Sequence, residues 1–432
     1  MAVGRIAYGS GDQEFIDRLI QYRKLTEHDA DQLRGVAVAQ KAPTRLLHES
    51  IECALFERFK RLEGFFPRVS FGGLPTPVQE LAHLSQKLGV SIWAKRDDLT
   101  GGNGRRVEGR LFGGNKVRKL EFLLADAAAC GAKSVITFGG IGSNHAVTTA
   151  ACAREQGLGC TLILSPQPNS HCVRRNLKLM HLYGAHIYLN ENADAYSDDV
   201  FRACLDSVAR DEGIPYPIPF GGSCPLAEVG FVSAAYELKQ QVDLGRCPQP
   251  DLIYVAAGSS GTAAGLLLGC KAAGLRSQIV AVPVLPDERR AWDVVATPTD
   301  YRGAIESIAR DTNALLCAYV KQFPQCSFSD ADLSVESAFV GEGYGCFTPE
   351  GQDAVHCMYE CEGIQLDGTY TGKVLACLKC HAQEGRLQGK KALFWNTFCG
   401  RSFDEQCAAL DYRQLPPAFH RFFEQEVQDL DC

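Results

Sequence analysis

The sequence of 432 residues predicts an α/β protein in which mainly parallel sheets are covered by helices. Short runs rich in β-branched residues alternate with helical runs from Phe66 onward. This alternation is typical of parallel sheets with helices on both faces. The length is about three times the ~150 residues of an average domain, so two linked α/β domains would account for the number of alternating units.

The predicted elements follow one another in order from Phe66. Strands are predicted at SIWAK, SVITF, CTLILS, HIYL, DLIYVAA and QIVAVPV. Helices are predicted near 116–130, after Ser143, over 174–183, after Asp194 and over 261–273. Glycine follows several of these helices, where a left-handed residue ends a helix, at Gly131, Gly157, Gly184 and Gly274.

Upstream of this region, residues 1–65 are predicted to form a helical N-terminal extension. Apolar residues in IDRLIQYRKL and ALFERFKRL recur every three or four positions, which is the spacing of one helix face. No residue pattern there indicates chemistry. We therefore expect the extension to pack on the main body or on a second subunit.

The composition is that of an ordinary globular protein, with 46% hydrophobic residues, 22% charged residues and a formal net charge of −7. The negative charge argues against nucleic acid or an anionic membrane as the main partner. No apolar run approaches the ~18 residues of a membrane span, and the N-terminal residues do not follow the pattern of a secretory signal. We therefore expect a cytoplasmic protein whose 19 cysteines are reduced thiols.

A lysine turn is the first segment that indicates chemistry. Lys116 follows the residues GGN and stands at the start of a predicted helix. The positive end of a helix disfavours a protonated amine, as do Arg118 and Lys119 if they lie close. A neutral amine is what covalent chemistry with an aldehyde requires. The alternative interpretation is a surface turn with ordinary solvated lysines.

The second segment is a glycine-rich loop, AGSSGTAAG, over residues 257–265. It lies between a predicted strand and a predicted helix, so its backbone N–H groups can converge on a phosphate. The hydroxyl groups of Ser259, Ser260 and Thr262 can donate further hydrogen bonds. The loop lacks the lysine of a P-loop and the spacing of a dinucleotide fingerprint. The alternative is a tight turn between strand and helix that binds nothing.

A reactive lysine and a cradle for one phosphate together suggest pyridoxal 5′-phosphate (PLP). Five motifs occur in order: GGNKVRKLEFLLADA, ITFGGIGSNHAVTTAA, GSSGTAAG, GYG at 343–345 and TYTGK at 369–373. With them the sequence resembles the family of 1-aminocyclopropane-1-carboxylate (ACC) deaminase and D-cysteine desulfhydrase, which belongs to fold type II of the PLP enzymes. The resemblance implies a homodimeric two-domain α/β enzyme. Its large PLP-binding domain would comprise residues 66–125 and 235–432, and its small domain residues 126–234.

The resemblance assigns the cofactor contacts to single residues. Lys116 would be joined covalently to PLP and, once displaced by the substrate amine, would move the α-proton. Asn144 would hydrogen-bond the phenolic oxygen of PLP. The phosphate would lie on Gly258, Ser259, Ser260, Gly261 and Thr262.

The resemblance also implies a set of substrate contacts. Ser143 and the backbone near His145 would hold the substrate carboxylate at a helix start, where free N–H groups favour an anion. Asn144 would contact the substrate as well. Tyr344 and Tyr370 would contact the substrate and assist the leaving group. A solvated first-turn histidine and ordinary core tyrosines are the alternatives.

Two positions distinguish the two activities of the family. Thr371 stands where ACC deaminases carry a glutamate at the pyridine nitrogen of PLP, and Thr397 stands where they carry leucine. A threonine is expected to leave the ring neutral, which gives a weaker electron sink. A weaker electron sink suffices for β-elimination, whereas opening a cyclopropane ring requires a stronger one. Thr371 at the cofactor and Thr397 at the substrate therefore favour a desulfhydrase.

Three departures from the family pattern concern the walls of the pocket. Gly142 replaces the usual glutamine before Ser-Asn, and NTFC at 396–399 replaces His-Thr-Gly-Gly. An insertion, GGNGRRVEGRLF, precedes the lysine motif. Gly142 removes a side chain beside the substrate, and residues 396–399 change the bulk and polarity of the pocket wall. The arginines of the insertion, Arg105, Arg106 and Arg110, could be solvated or reach the cleft entrance. The cofactor assignment stays intact.

The predicted function is a PLP-dependent α,β-elimination, with D-cysteine converted to pyruvate, sulfide and ammonia. The alternatives are ACC deaminase, a lyase of another β-substituted amino acid, and a catalytically silent PLP-binding protein.

A short segment, CLKCH at 377–381, formally matches a haem-attachment motif. With Cys357 and Cys361 its two cysteines could also make a zinc site. Buried helix thiols are the preferred interpretation, and no metal is predicted.

Overall fold

The computed structural model describes residues 53–102, 111–191, 196–211, 213–286 and 300–431. The strands in these residues are β1 (Val78–Glu80), β2 (Ser91–Lys95), β3 (Ser134–Gly140), β4 (Gly159–Ser165), β5 (His186–Leu189), β6 (Tyr216–Pro217), β7 (Leu252–Ala257), β8 (Gln278–Pro283), β9 (Leu333–Val335) and β10 (Lys391–Trp395). The first helices are α1 (Ala54–Arg58), α2 (Ala82–Leu88), α3 (Lys116–Ala129), α4 (Asn144–Gln156), α5 (His171–Leu182), α6 (Tyr196–Asp211) and α7 (Pro225–Asp243). They are followed by α8 (Gly261–Ala273), α9 (Tyr301–Tyr319), α10 (Pro349–Glu362), α11 (Thr371–Gln383), α12 (Asp404–Ala408) and α13 (Arg421–Glu424).

The strands form two sheets in which parallel pairing dominates. The larger sheet has the order β1-β2-β10-β7-β8-β9, and within it only β1 runs antiparallel to its neighbour. The smaller sheet has the order β5-β4-β3-β6, with parallel pairs throughout. The prediction of an α/β fold with mainly parallel, helix-covered sheets is therefore confirmed.

Each sheet draws its strands from a separate part of the chain. The smaller sheet uses strands between residues 134 and 217, and the larger sheet uses strands from 78–95 and 252–395. This separation supports the proposed large and small domains. The proposed boundaries at residues 125 and 234 both fall inside continuous helices, α3 and α7, which pack against each other.

The predicted elements agree closely with the structure where the local signals are strong. β2 coincides with SIWAK, α8 covers the predicted 261–273, and all four helix-ending glycines have φ between 74° and 78°. The helix predicted over 174–183 begins earlier, at His171, because the Ser170 side chain accepts a hydrogen bond from the Val173 N–H and caps it. Strand β10 was not predicted, since its sequence KALFW contains no β-branched residue.

The described part of the predicted N-terminal extension packs on helix α7. The backbone N–H of Leu55, in α1, donates to the hydroxyl of Ser233, and the ring of Phe59 meets that of Tyr236 edge to face. Residues 1–52 and the insertion residues 103–110 lie outside the described residues. Among the helices that are described, none is both long and apolar enough to cross a membrane.

A buried charge network ties helix α3 to the larger sheet; it consists of Arg118, Asp97, Glu237, Lys95 and Trp395. The Arg118 guanidinium lies 2.7 Å from Asp97 Oδ1 and 3.0 Å from Glu237 Oε2, and the Trp395 indole N–H donates to Asp97 Oδ2 at 2.8 Å. Burial alone would raise the pKa of Glu237, but Arg118 and Lys95 lower it to about 2. The network thus joins α3, α7 and the ends of β2 and β10 around charges that pair with one another.

We expect the variant Arg118→Leu to lower the free energy of unfolding by roughly 3–5 kcal/mol, because it leaves two buried carboxylates without their main partner. Urea denaturation measures this change. The matched control Lys239→Ala breaks an exposed pair with Asp243 on helix α7 and should cost less than about 1 kcal/mol. Equal losses in the two variants would contradict the role given to the network.

Candidate active site

A cavity opens where β3 and β7 end and where α4 and α8 begin, between the two sheets. The carboxyl ends of parallel strands are the usual place for ligands in α/β folds. The cavity and its open mouth together contain about 870 Å³ of space that no protein atom occupies. Every predicted site residue except Thr371 lines it: Lys116, Ser143, Asn144, His145, Gly258, Ser259, Ser260, Gly261, Thr262, Tyr344, Tyr370 and Thr397.

Lys116 is the first residue of α3. The two residues before it, Gly114 and Asn115, pack against the segment that follows β10. Gly114 has φ of 91°, and a Cβ there would lie 2.8 Å from the carbonyl oxygen of Thr397, so only glycine fits. The Asn115 N–H donates to that same oxygen at 3.1 Å. Burial, and then the charge of Lys119, lower the pKa of Lys116 to about 7. A large share of the amine is therefore neutral near pH 7.

The glycine-rich loop turns from β7 into α8 next to the lysine turn. Ser260 has φ of 65°, an unusual value for a residue with a side chain, and its buried hydroxyl has no hydrogen-bond partner among the described residues. The Asn115 side chain donates to Thr262 Oγ1 at 3.0 Å, which connects this loop to the lysine turn. The N-terminus of the 13-residue helix α8 faces the cavity and favours an anion there.

The start of helix α4 forms a second wall. Ser143 caps the helix by accepting from the Ala146 N–H at 3.2 Å, so the other N–H groups of the first turn stay available. The side-chain oxygen Oδ1 of Asn144 accepts a hydrogen bond from the side-chain amide of Asn176 at 3.1 Å, which fixes the orientation of the Asn144 amide. Both side chains lie where an anion or a polar ring substituent could be bound.

His145 is buried and neutral. Its Nε2 lies 2.9 Å from the hydroxyl of Thr137, which itself donates to the carbonyl of Ile218 at 2.9 Å. Because the hydroxyl proton is used, Nε2 must donate and Nδ1 carries a lone pair. Burial, and then Lys116 and Lys119, hold the pKa of His145 well below its ordinary value. Nδ1 has no partner in the described part of the chain, so it can accept a hydrogen bond from a ligand.

Tyr344 and Tyr370 form a pair of phenols on the cavity wall. Their hydroxyl oxygens lie 2.7 Å apart, and their rings meet edge to face. Burial raises the pKa of Tyr344 to about 12, and burial together with the neighbouring phenol raises the pKa of Tyr370 further. Both phenols are therefore protonated at neutral pH and can donate a proton.

Thr371 lies behind the cavity wall and is bound to Asp367, a cavity residue that the sequence analysis missed. The Thr371 hydroxyl donates to Asp367 Oδ1 at 2.6 Å and accepts from the Asp367 N–H at 2.8 Å. Its one proton is therefore committed, and it can offer only a lone pair to a further group. Of the two roles that a threonine hydroxyl can take toward a pyridine nitrogen, donor or acceptor, this hydrogen bond leaves the acceptor role.

Gln167 fills the space next to Gly142, where the family pattern has a glutamine. Its Oε1 accepts from the Gly142 N–H at 3.0 Å. A Cβ on Gly142 or on Gly345 would each lie 2.9 Å from Gln167 Nε2, so both glycines leave room for this one side chain. Gln167 was not predicted as a site residue, because it comes from the loop after β4, 25 residues from Gly142 in sequence.

The cysteine-rich segment is built into helices α10 and α11. The described residues contain no group of three or more histidine, cysteine or acidic side chains arranged to hold a metal ion. His381 Nδ1 lies 2.8 Å from the hydroxyl of Tyr254, and its Nε2 lies 3.7 Å from Cys377 Sγ. These contacts place the segment in the core of the larger sheet.

The cavity fits PLP on observations of its own. The amine of Lys116 has a lowered pKa, which suits reaction with the aldehyde of PLP. The hydroxyl of Ser260 has no partner among the described residues and lies in the glycine turn at the start of α8, which suits the phosphate. Lys119, which the sequence analysis named only as a neighbour of Lys116, reaches under this turn and lies 2.8 Å from Glu228. The turn thus combines free N–H groups with a nearby positive charge.

Comparisons with known proteins agree with this fit. A family model described as pyridoxal-phosphate dependent enzyme matches residues 69–397. The chain is 29% identical to an ACC deaminase homologue of known structure, with a TM-score of 0.64 and coverage of 83% of this chain and 100% of that one.

Two more distant structures share the fold. A fungal L-serine ammonia-lyase from Rhizomucor miehei has a TM-score of 0.50 and 16% identity, covering 79% of this chain and 98% of its own. An O-ureido-L-serine synthase has the same TM-score and identity, covering 78% and 93%. Because the family model spans well over half of the chain and the matched region contains the lysine turn and the phosphate loop, the chain belongs to the family of pyridoxal-phosphate dependent enzymes, with PLP as its cofactor.

Proposed function

We propose that the protein is a lyase that catalyses α,β-elimination on a small β-substituted amino acid, with D-cysteine as substrate and pyruvate, sulfide and ammonia as products. The observation that carries this proposal is a basic amine and two protonated phenols in one cavity. Elimination needs a base at Cα and an acid at the leaving group. We also propose a homodimer, which the family resemblance implies, and a cytoplasmic location, which the reading of the cysteines as reduced thiols favours.

Lys116 and the phosphate loop would hold the cofactor. PLP supplies an aldehyde that condenses with amines and a ring that delocalises the electron pair left on Cα. The loop from Gly258 to Thr262 would bind the phosphate. Asn144 is proposed for the phenolic oxygen, and its amide is already oriented by Asn176.

The chain's own residues would then divide the proton transfers. The first turn of α4, with Ser143, would bind the substrate carboxylate. The neutral amine of Lys116 would take the proton from Cα. The Tyr344–Tyr370 pair would give a proton to the departing sulfur, since a thiolate leaves more readily as a thiol.

ACC deaminase is the second candidate, favoured by the 29% identity with the ACC deaminase homologue. In the family pattern Thr371 and Thr397 argue against it, because ACC deaminases carry glutamate and leucine there. The two candidates differ in product: β-elimination from cysteine gives pyruvate, whereas ACC gives 2-oxobutyrate.

A substrate panel tests the proposed function. We expect sulfide and pyruvate from D-cysteine at a higher kcat/KM than from L-cysteine, with slower turnover of D-serine and no 2-oxobutyrate from ACC. Turnover of ACC alone would support the second candidate. Bound PLP whose absorbance no amino acid changes would identify a catalytically silent PLP-binding protein and refute the lyase.

The role of the tyrosine pair is tested with a leaving group that needs no proton. We expect Tyr370→Phe to lower kcat for D-cysteine by roughly 10²–10⁴-fold, the usual contribution of a general acid, and kcat for D-chloroalanine far less, because chloride leaves as the anion. Tyr359→Phe, at an exposed tyrosine of α10, is the control and should change neither rate. Equal losses for both substrates would contradict an acid role.

The lowered pKa of Lys116 predicts how fast PLP adds to the protein freed of it. Because only the neutral amine reacts, we expect the rate to rise with pH up to about 7 and then to level off, whereas an ordinary lysine would keep gaining up to about pH 10. Borohydride reduction followed by peptide mass analysis locates the label. Lys373, a buried lysine bound to the carbonyl of Val340, should stay unlabelled. Label on Lys373 instead of Lys116 would refute the assignment.

A further inference from the structure

A buried carboxylate lies directly under the phosphate loop. Glu228, in the first turn of α7, is fully buried, and its Oε1 lies 2.8 Å from the ammonium of Lys119. A Cβ atom on Gly261, the first residue of α8, would clash with this same oxygen. Neither oxygen of the carboxylate accepts a hydrogen bond elsewhere in the described residues. The negative charge therefore stands against the turn on which the phosphate would rest.

The groups around Glu228 provide one positive charge for two anions. Lys119 and Lys116 face it from α3, and the thiol of Cys224 faces it from the start of α7. Helix α8 approaches it at Gly261 and Gly265, and the hydroxyl of Ser223 lies near the same Gly261. Lys116 is neutral in part before PLP binds. A phosphate dianion placed on the loop would thus share the single charge of Lys119 with Glu228, and in a buried site such like charges repel strongly.

We propose that Glu228 is a proton-accepting member of the phosphate site, which takes up one proton from solvent when the phosphate group of PLP binds. The inference rests on the proposed phosphate site at residues 258–262. Protonation removes one of the two competing anions and leaves Lys119 free to face the phosphate. Burial raises the pKa of Glu228, with Lys119 opposing, and so favours the neutral acid.

Proton uptake makes phosphate affinity depend on pH in a defined direction. Above the pKa of Glu228 in the free protein, the affinity for the phosphate group should fall by up to about tenfold per pH unit. The reason is that binding then takes up one proton, and the proton concentration falls about tenfold with each unit. Glu228→Gln keeps the shape of the side chain and carries no charge. This variant should bind the phosphate group more tightly at pH 8, and its affinity should change less with pH.

The probe is pyridoxine 5′-phosphate, which lacks the aldehyde and cannot react with Lys116. Added at pH 8 to the full-length protein freed of PLP, it should produce the C=O stretch of a protonated carboxylic acid in difference infrared spectra. The band should be absent in Glu228→Gln. It should persist in the matched control Asp367→Asn, which removes the buried carboxylate that lines the cavity.

Binding constants from calorimetry at pH 7 and pH 8 complete the test. We expect the wild type to lose affinity over this step and Glu228→Gln to bind more tightly than wild type at pH 8, by up to about tenfold for each pH unit above the pKa of Glu228 in the free protein. A wild-type protein that binds the probe without the infrared band would overturn the role of Glu228, as would a band that survives in Glu228→Gln. No binding of the probe to either protein would refute the phosphate site itself. The wild-type spectrum decides the question even if the variant fails to fold.

Discussion

The ion pairs of Arg118 are the interaction on which the site depends. Arg118 stands two residues after Lys116, and its guanidinium is held by Asp97 at the end of β2 and by Glu237 on α7. Trp395, at the end of β10, donates to the same Asp97 carboxylate. Because these partners come from three distant segments, the first turn of α3 cannot rotate without breaking buried charge pairs. The direction in which Lys116 leaves the helix is thereby fixed.

The three basic side chains in the first turn of α3 lie in three different surroundings. Arg118 enters the core network, Lys119 pairs with Glu228 under the phosphate loop, and Lys116 alone meets the cavity. Lys119 lies close enough to lower the pKa of Lys116. The lowered pKa of the amine therefore follows first from its burial and then from the charge of Lys119, and a solvated lysine turn of the same sequence would lack the burial.

The sequence alone was sufficient for the features that local chemistry determines. The alternation of strands and helices predicted the fold class, and the order of the motifs predicted residues that line one cavity. It was insufficient for groups whose role depends on a distant partner. The place of Gln167 in the cavity wall depends on the space that Gly142 and Gly345 leave for it. The place of Glu228 depends on helix α7 passing under Gly261. In the sequence, Asp367 is indistinguishable from an ordinary loop residue; the structure shows that its carboxylate accepts a hydrogen bond from the Thr371 hydroxyl.

Burial pushes the titratable groups that line the cavity toward their neutral forms. The amine of Lys116 has its pKa lowered, His145 is held as the neutral imidazole, and the two phenols keep their protons. A ligand with a phosphate and a carboxylate would therefore find its counter-charges in the N-termini of α8 and α4 and in Lys119, which lies outside the cavity wall. Fixed dipoles do not exchange protons with the substrate. Binding of the substrate carboxylate at the start of α4 would thus be separated from proton transfer to and from the substrate, and different residues would set each of the two.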